Sequence, residues 1–157
     1  SGHAAAHLGT THDHMVKVMT TPSYVLAGSP RQAPQLLGSW SQNVESWTAQ
    51  PNPALHVMRY EDMLADPLRA FTGLTGFLGL KAADDKIDEA IERSSFKTLQ
   101  DQEERQGFAE RGRLQKQFFR KGRSGSWREE LSDEQVVAIV QHNRAQMARF
   151  GYLPDGM

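Results

Sequence analysis

Only one short segment of this chain has the pattern of a β-strand, and that segment constrains the fold most. Leu55-His56-Val57-Met58-Arg59-Tyr60 follows the turn Pro51-Asn52-Pro53 and is largely apolar. A lone strand leaves its two rows of backbone N–H and C=O groups without partners. The strand Leu55–Tyr60 is therefore expected to pair with a missing N-terminal half of a larger sheet protein, to pair with a second copy of the chain, or to stay unpaired.

Most of the remaining sequence predicts helices. Asp66 before Pro67 gives an N-cap followed by proline at the first helical position, and Ser132 with Gln135 gives a capping box. Apolar residues at helical spacing predict further helices around Met15–Met19, from Leu36 to before Pro51, over residues 84–93 and from about Ser95. The predicted fold class is mainly α with one short β-strand.

The composition fits one globular domain over residues 1–157. Hydrophobic residues make up 38% and charged residues 24%, and there is no cysteine, which excludes disulfides, thiolate zinc sites and cysteine nucleophiles. No apolar run reaches the ~18 residues of a membrane span, and the first residues lack the order of a signal peptide. We expect no membrane partner and a cytoplasmic location. Ser1-Gly2-His3 is compatible with a cloning remnant.

Positive charge is concentrated in one segment. Eight basic residues and one acidic residue lie between Arg105 and Arg128, while the whole chain has a net charge of -1. A basic segment on an acidic body indicates a local anion site more than nucleic-acid affinity, which usually needs a basic face across a domain. A solvated basic loop explains the charge equally well.

The core of this segment is Phe118-Phe119-Arg120-Lys121-Gly122-Arg123-Ser124-Gly125-Ser126-Trp127. Its two glycines let backbone N–H groups turn toward one point, and Arg120, Lys121 and Arg123 add positive charges that suit a phosphate group.

Two further segments are candidates for ligand contact. Tyr60 ends the predicted strand, and ligands gather at the carboxyl ends of strands in α/β sheets. Ser94-Ser95-Phe96 begins a predicted helix, where a hydroxyl and an aromatic face would suit a purine. The alternatives are a half-buried tyrosine with its hydroxyl in water and a phenylalanine in the core.

Other catalytic patterns are weak. His12-Asp13-His14 would need further ligands to hold a metal, and a solvated loop is the favoured interpretation. The adjacent acids Glu103-Glu104 and Glu129-Glu130 point in different directions on a helix, which does not suit acid–base catalysis across one bond. We therefore predict no metal site and assign no catalytic residue.

Five groups of motifs occur in order along the chain. They are Gly38-Ser39-Trp40-Ser41-Gln42-Asn43-Val44-Glu45-Ser46-Trp47, Arg59-Tyr60-Glu61-Asp62, Phe77-Leu78-Gly79, Ser94-Ser95-Phe96, and Arg120-Lys121-Gly122 with Gly125-Ser126-Trp127. Their order and spacing resemble the C-terminal half of cytosolic-type sulfotransferases, particularly bacterial ones, which use the sulfate donor 3′-phosphoadenosine 5′-phosphosulfate (PAPS). The resemblance spans most of residues 36–153. It implies that the chain is the C-terminal portion of a P-loop-type α/β sulfotransferase fold.

The resemblance also implies donor-binding roles. Arg120, Lys121 and the backbone of Gly122 would hold the 3′-phosphate of PAPS or of its product 3′,5′-adenosine bisphosphate (PAP). Phe96 would stack on adenine, and Ser94 would replace a threonine of the family that bonds the base. Tyr60 would contact the adenine from the end of the strand.

The sequence departs from the family at the sulfate end of the donor. It contains no Gly-x-x-x-x-Gly-Lys-Ser/Thr phosphate loop, and His56 lies inside the strand motif, where the family places no general base. The leading hypothesis is a chain that retains the 3′-phosphoadenosine site, with sulfuryl transfer to a hydroxyl or amine by the complete enzyme. The alternative is an inactive, truncated helical module for nucleotide binding or self-assembly, and nucleic-acid binding ranks last.

Overall fold

A computed structural model of the chain describes residues 12–30, 32–109, 117–119 and 121–157. These residues are mostly helical, as predicted. The helices are α1 His12–Thr20, α2 Trp40–Thr48, α3 Tyr60–Ala65, α4 Pro67–Phe77, α5 Asp84–Arg93, α6 Phe96–Gln106, α7 Trp127–Glu130 and α8 Asp133–Arg149, and the strands are β1 Val25–Leu26 and β2 Gln35–Leu36. None of the described helices is both long and apolar enough to cross a membrane.

The small sheet includes Leu36, where the sequence predicted the start of a helix. Strands β1 and β2 are antiparallel, with Val25 opposite Leu36 and Leu26 opposite Gln35. Helix α2 consequently begins at Trp40 rather than near Leu36. Its start is set by Ser39, whose side chain accepts a hydrogen bond from the backbone N–H of Gln42 and completes a capping box.

The predicted strand Leu55–Tyr60 is wrong. Residues 55–59 belong to no strand, and Tyr60 is the first residue of α3. Arg59 has an extended backbone, with φ of -90° and ψ of 140°, and stands at the N-cap of this helix. A strand exists only where a neighbouring chain segment satisfies its N–H and C=O groups, and within the described residues no such segment pairs with residues 55–59.

The chain divides into two compact units. The first contains the described residues up to Asn52 together with Trp127–Met157, and the second contains the described residues of Pro53–Ser126. In the first unit, α8 packs against α1 and α2. The interior of this unit includes Val140 and Met147, which are among its few buried apolar side chains.

Asn143 on α8 joins this helix to α1 and α2. Its side chain is 1% exposed. The Oδ1 atom accepts a hydrogen bond from the N–H of Ser41 at 3.0 Å, and Nδ2 donates to the carbonyls of Ile139 at 3.0 Å and Met19 at 3.4 Å. The polar atoms of Asn143 are thus satisfied by α1, α2 and its own helix.

The predicted start of α8 is confirmed, and backbone hydrogen bonds close its end. Ser132 and Gln135 form a capping box at its start. The Ser132 side chain, with a backbone hydrogen bond, lowers the pKa of Glu134 below its usual value. At the other end, the N–H of Tyr152 donates to the Met147 carbonyl at 2.7 Å and the N–H of Gly151 donates to Ala148.

In the second unit, the successive helices α3 to α6 pack against their neighbours in the chain. The predicted N-cap of α4 is confirmed, because Asp66 accepts a hydrogen bond from the N–H of Arg69 and Pro67 is the first helical residue. Ile87 of α5 is 5% exposed and is a buried apolar residue of this unit. The candidate site residues that the structure describes, Tyr60, Ser94, Phe96, Lys121 and Gly122, belong to this second unit.

Candidate donor-nucleotide site

Phe96 and Gly122 lie in direct contact although 26 positions separate them in the sequence. A Cβ atom added to Gly122 would stand 2.3 Å from Cγ of Phe96 and 2.4 Å from its Cδ2. Gly122 also has a φ of +57°, which is strained for any residue with a side chain. Gly122 and the aromatic start of α6 therefore form one structural feature.

A cluster of aromatic rings supports this contact. The ring of Phe119 meets Phe96 edge-on at a centroid distance of 6.0 Å. Phe108 stands 4.7 Å from Phe118 and 5.2 Å from Phe119, measured between ring centroids. Such edge-on and tilted arrangements are favoured by the quadrupoles of the rings. The pair Phe118-Phe119 thus anchors the residues immediately before the Arg-Lys-Gly segment.

Two polar side chains of α6 hold the backbone of the same pair. Glu103 is 4% exposed, and its carboxylate accepts hydrogen bonds from the N–H groups of Phe118 at 2.7 Å and Phe119 at 3.0 Å. Gln100 donates from Nε2 to the carbonyl of Phe119 at 2.9 Å. We call Gln100 and Glu103 the α6 clamp.

Sequence reasoning missed the α6 clamp and treated Glu103 only as a neighbour of Glu104. The prediction that these acids point in different directions is consistent with the structure, because Glu103 is buried and Glu104 is exposed. A signal was present in the sequence. Phe96, Gln100 and Glu103 recur at intervals of four and three and therefore share one helix face, so two polar residues continue a face that Phe96 begins.

The predicted phosphate-binding residues are described in part. Arg120 lies outside the described residues, so its predicted role stays a prediction. Lys121 is exposed, and Gly122 is half-buried against Phe96. Arg123 is also exposed and adds a second described positive charge to this segment.

Ser94 and Ser95 have different environments. Ser95 is the N-cap of α6, and its hydroxyl accepts a hydrogen bond from the N–H of Thr98 at 3.3 Å. Ser94 lies at the C-terminal end of α5, where its exposed hydroxyl donates to the Ala90 carbonyl at 2.7 Å. Ser94 is two residues from Phe96, but its hydroxyl is engaged by the preceding helix.

Tyr60 lies at the start of α3 rather than at the end of a strand. Its side chain is 47% exposed. Among the described residues, no ring contact or hydrogen bond connects Tyr60 with Phe96 or Gly122. The structure thus brings Phe96 and Gly122 together and leaves Tyr60 apart from this contact.

The histidines considered in the sequence have other neighbours. His56 stacks on Phe77, with 5.1 Å between ring centroids and 25° between ring planes. His12 and Asp13 lie on α1 instead of a loop, and His12 contacts Glu130 at 3.4 Å. In the described part of the chain, no group of three or more His, Cys, Asp or Glu side chains has a metal-binding arrangement.

Comparison of the sequence with known proteins places this chain in a family. The sequence profile of the sulfotransferase domain matches residues 11–151. Similar proteins include sulfotransferase 1A1 of Bos taurus, which is 27% identical over 71% of this chain and 39% of its own length. Sulfotransferase 2A1 of Rattus norvegicus is 26% identical over 78% of this chain and 43% of its own length. Cytosolic sulfotransferase 17 of Arabidopsis thaliana is 29% identical over 66% of this chain and 32% of its own length.

The chain belongs to the sulfotransferase domain family. It spans less than half the length of these curated relatives. The described helices and two-stranded sheet are consistent with part of such a domain. The bacterial subtype, the single domain over residues 1–157 and the pairing of residues 55–60 with another chain stay predictions.

Proposed function

We propose that this chain holds the 3′-phosphoadenosine end of PAPS and that the complete protein transfers the sulfuryl group to a hydroxyl or amine acceptor. The observation that carries the proposal is the contact between Gly122 and Phe96. This contact joins a basic, glycine-containing segment with an aromatic side chain, and the two suit the two parts of the ligand, a phosphate dianion and a purine.

The phosphate end of the proposed site uses positive charge and backbone donors. Lys121 and, by family resemblance, Arg120 supply the charges, and an arginine can bind two phosphate oxygens at once. Gly122 approaches other groups closely because it has no side chain. At the adenine end, Phe96 is half-buried and presents an aromatic ring next to this segment. Ser94 and Tyr60 complete the proposed set by resemblance.

The transfer itself requires groups that we do not assign in this chain. The acceptor oxygen or nitrogen forms a bond to sulfur, the bond from sulfur to the phosphate oxygen breaks, PAP leaves and a base takes the acceptor's proton. The sequence lacks the phosphate-loop pattern for the sulfate end. Positioning and charge stabilisation each contribute several kcal/mol to such reactions. We therefore expect donor-nucleotide binding by this chain and little transfer by the chain alone.

The name of one relative, cytosolic sulfotransferase 17, supports the further proposal that the protein works in the cytoplasm.

Isothermal titration calorimetry with PAP tests the proposal. The double variant Arg120→Ala/Lys121→Ala should weaken PAP binding by at least about a hundredfold, because it removes two side chains and each hydrogen bond to a charged group contributes about 1.5–3 kcal/mol. The matched control is Lys86→Ala/Arg93→Ala, which removes two exposed charges paired with Glu89 on α5. Equal affinities of the two double variants, or no binding of PAP by the unmodified chain at millimolar concentration, would contradict the proposal.

A further inference from the structure

We infer that Gln100 and Glu103, the α6 clamp, are positioning residues for the segment that binds the 3′-phosphate. The inference rests on the proposed function and adds to it two residues that touch neither phosphate nor adenine. Their role is to fix the backbone immediately before Arg120-Lys121-Gly122.

The clamp holds the backbone at consecutive peptide groups. Glu103 accepts from the N–H groups of Phe118 and Phe119, and Gln100 donates to the carbonyl of Phe119. Phe119 is therefore held through both its N–H and its C=O, and it precedes Lys121 by two positions. Because α6 also carries Phe96, one helix holds both the aromatic ring and the residue two positions before Lys121.

The chemistry of Glu103 fits such a role. A carboxylate that is 4% exposed loses most of its hydration, and it is retained in a structure only when strong hydrogen bonds replace the water. The two N–H donors of the Phe118-Phe119 backbone provide such bonds. An apolar side chain would fill the same space without the desolvation free energy of a buried charge, but it would leave two N–H groups without acceptors.

Fixing this segment in advance increases affinity for a phosphate. A chain segment that is already ordered loses less conformational entropy when it binds, so the ligand binds more tightly. This gain in affinity should be confined to ligands that carry the phosphate bound by this segment. The clamp should therefore contribute to the difference in affinity between PAP and 5′-AMP, which lacks the 3′-phosphate, and should leave 5′-AMP binding unchanged.

The variant Glu103→Gln tests the clamp. Its amide group has one acceptor oxygen and directs N–H donors at the other backbone N–H, so one of the two bonds is lost. The matched control is Glu104→Gln, which makes the same charge change at the neighbouring exposed position. Calorimetric titrations with PAP and with 5′-AMP should show PAP binding weakened about tenfold in Glu103→Gln, 5′-AMP binding unchanged, and both unchanged in Glu104→Gln.

The outcomes separate this inference from the proposed function. If the unmodified chain does not prefer PAP to 5′-AMP, both the proposed function and the clamp are overturned. If it prefers PAP and Glu103→Gln keeps the full preference, or weakens both ligands equally, only the clamp is overturned. Should Glu103→Gln fail to fold, Gln100→Ala replaces it, because this change removes only the bond to the Phe119 carbonyl. A selective loss of PAP affinity then supports the clamp, and an unchanged preference overturns it.

Discussion

Gly122 lies so close to the ring of Phe96 that a methyl group on its Cα would approach Cγ of the ring to 2.3 Å. Phe96 begins a helix, whereas Gly122 belongs to the basic, glycine-containing segment, so no sequence periodicity relates the two residues. Their contact brings Gly122 of the basic segment onto the first residue of α6. It is the structural basis of the nucleotide site that we propose.

The substitution Gly122→Ala should destabilise the chain and weaken PAP binding. The added methyl group must displace Phe96 or the loop, which costs about 1–3 kcal/mol, and the positive φ adds about 1–2 kcal/mol. Gly79→Ala is the matched control, because Gly79 has a φ of +68° but open space around its Cα. Urea denaturation should show the larger loss for Gly122→Ala, and calorimetry should show weaker PAP binding only there. Equal losses in both variants would mean that the contact with Phe96 has no effect on stability.

The substitution Phe96→Leu should weaken PAP binding by about three- to tenfold, because stacking on an aromatic ring contributes about 0.5–1.5 kcal/mol beyond apolar burial. Leucine keeps an apolar side chain against Gly122. Phe77→Leu is the control, since Phe77 is an aromatic residue of the same unit that stacks on His56. Calorimetric titration of both variants with PAP measures the difference. Unchanged affinity in Phe96→Leu would exclude stacking of adenine on this ring.

The substitution Asn143→Leu should lower the free energy of unfolding by about 3 kcal/mol, measured by urea denaturation. It leaves the half-buried N–H of Ser41 without its acceptor and the Met19 carbonyl without one donor, and each unsatisfied group costs about 1–3 kcal/mol. The control Gln141→Leu changes an exposed residue of the same helix and should have an effect within about 0.5 kcal/mol. Similar losses in the two variants would show that the Asn143 hydrogen bonds contribute nothing to stability.

The substitution Ser132→Ala should raise the pKa of Glu134. The Ser132 side chain favours the charged carboxylate and lowers that pKa in the folded chain. Because the pKa of Glu134 is lower in the folded chain than in the unfolded chain, the charged carboxylate stabilises the fold at pH values above the unfolded pKa. This stabilisation is lost as the pH falls through the folded pKa. NMR titration of the Glu134 carboxyl should show the upward shift. Loss of the N-cap should also cost about 1 kcal/mol at neutral pH, and an unshifted pKa would contradict the assigned cause.

The helices were largely predictable because their signals are local. Ser132 with Gln135 and Asp66 with Pro67 set helix starts through side-chain bonds to residues three positions away, and both appear as predicted. The prediction of a strand over Leu55–Tyr60 was wrong because a strand depends on a pairing partner, and the local sequence does not specify that partner. Strands β1 and β2 were not predicted because each has only two residues, too few to show the alternation of apolar and polar residues that marks a strand.

The candidate site was predictable only in part for a related reason. Phe96, Lys121 and Gly122 were identified by residue type and family resemblance, but their contact depends on the path of the chain between α6 and Lys121. Glu103 was overlooked because an acidic residue on a polar helix ordinarily faces solvent. The Glu103 side chain is buried because it accepts hydrogen bonds from the backbone N–H groups of Phe118 and Phe119. The positions of these N–H groups cannot be predicted from sequence patterns.

The most direct test compares two ligands of equal charge, adenosine 3′,5′-bisphosphate and adenosine 2′,5′-bisphosphate, by calorimetric titration of the unmodified chain. A site shaped for the 3′-phosphate by Lys121, Gly122 and Phe96 should bind the 3′,5′ isomer at least about tenfold more tightly, since a misplaced phosphate loses at least one charged hydrogen bond. Equal affinity for the two isomers would mean that the basic segment attracts phosphate through charge alone and would contradict the proposed donor site.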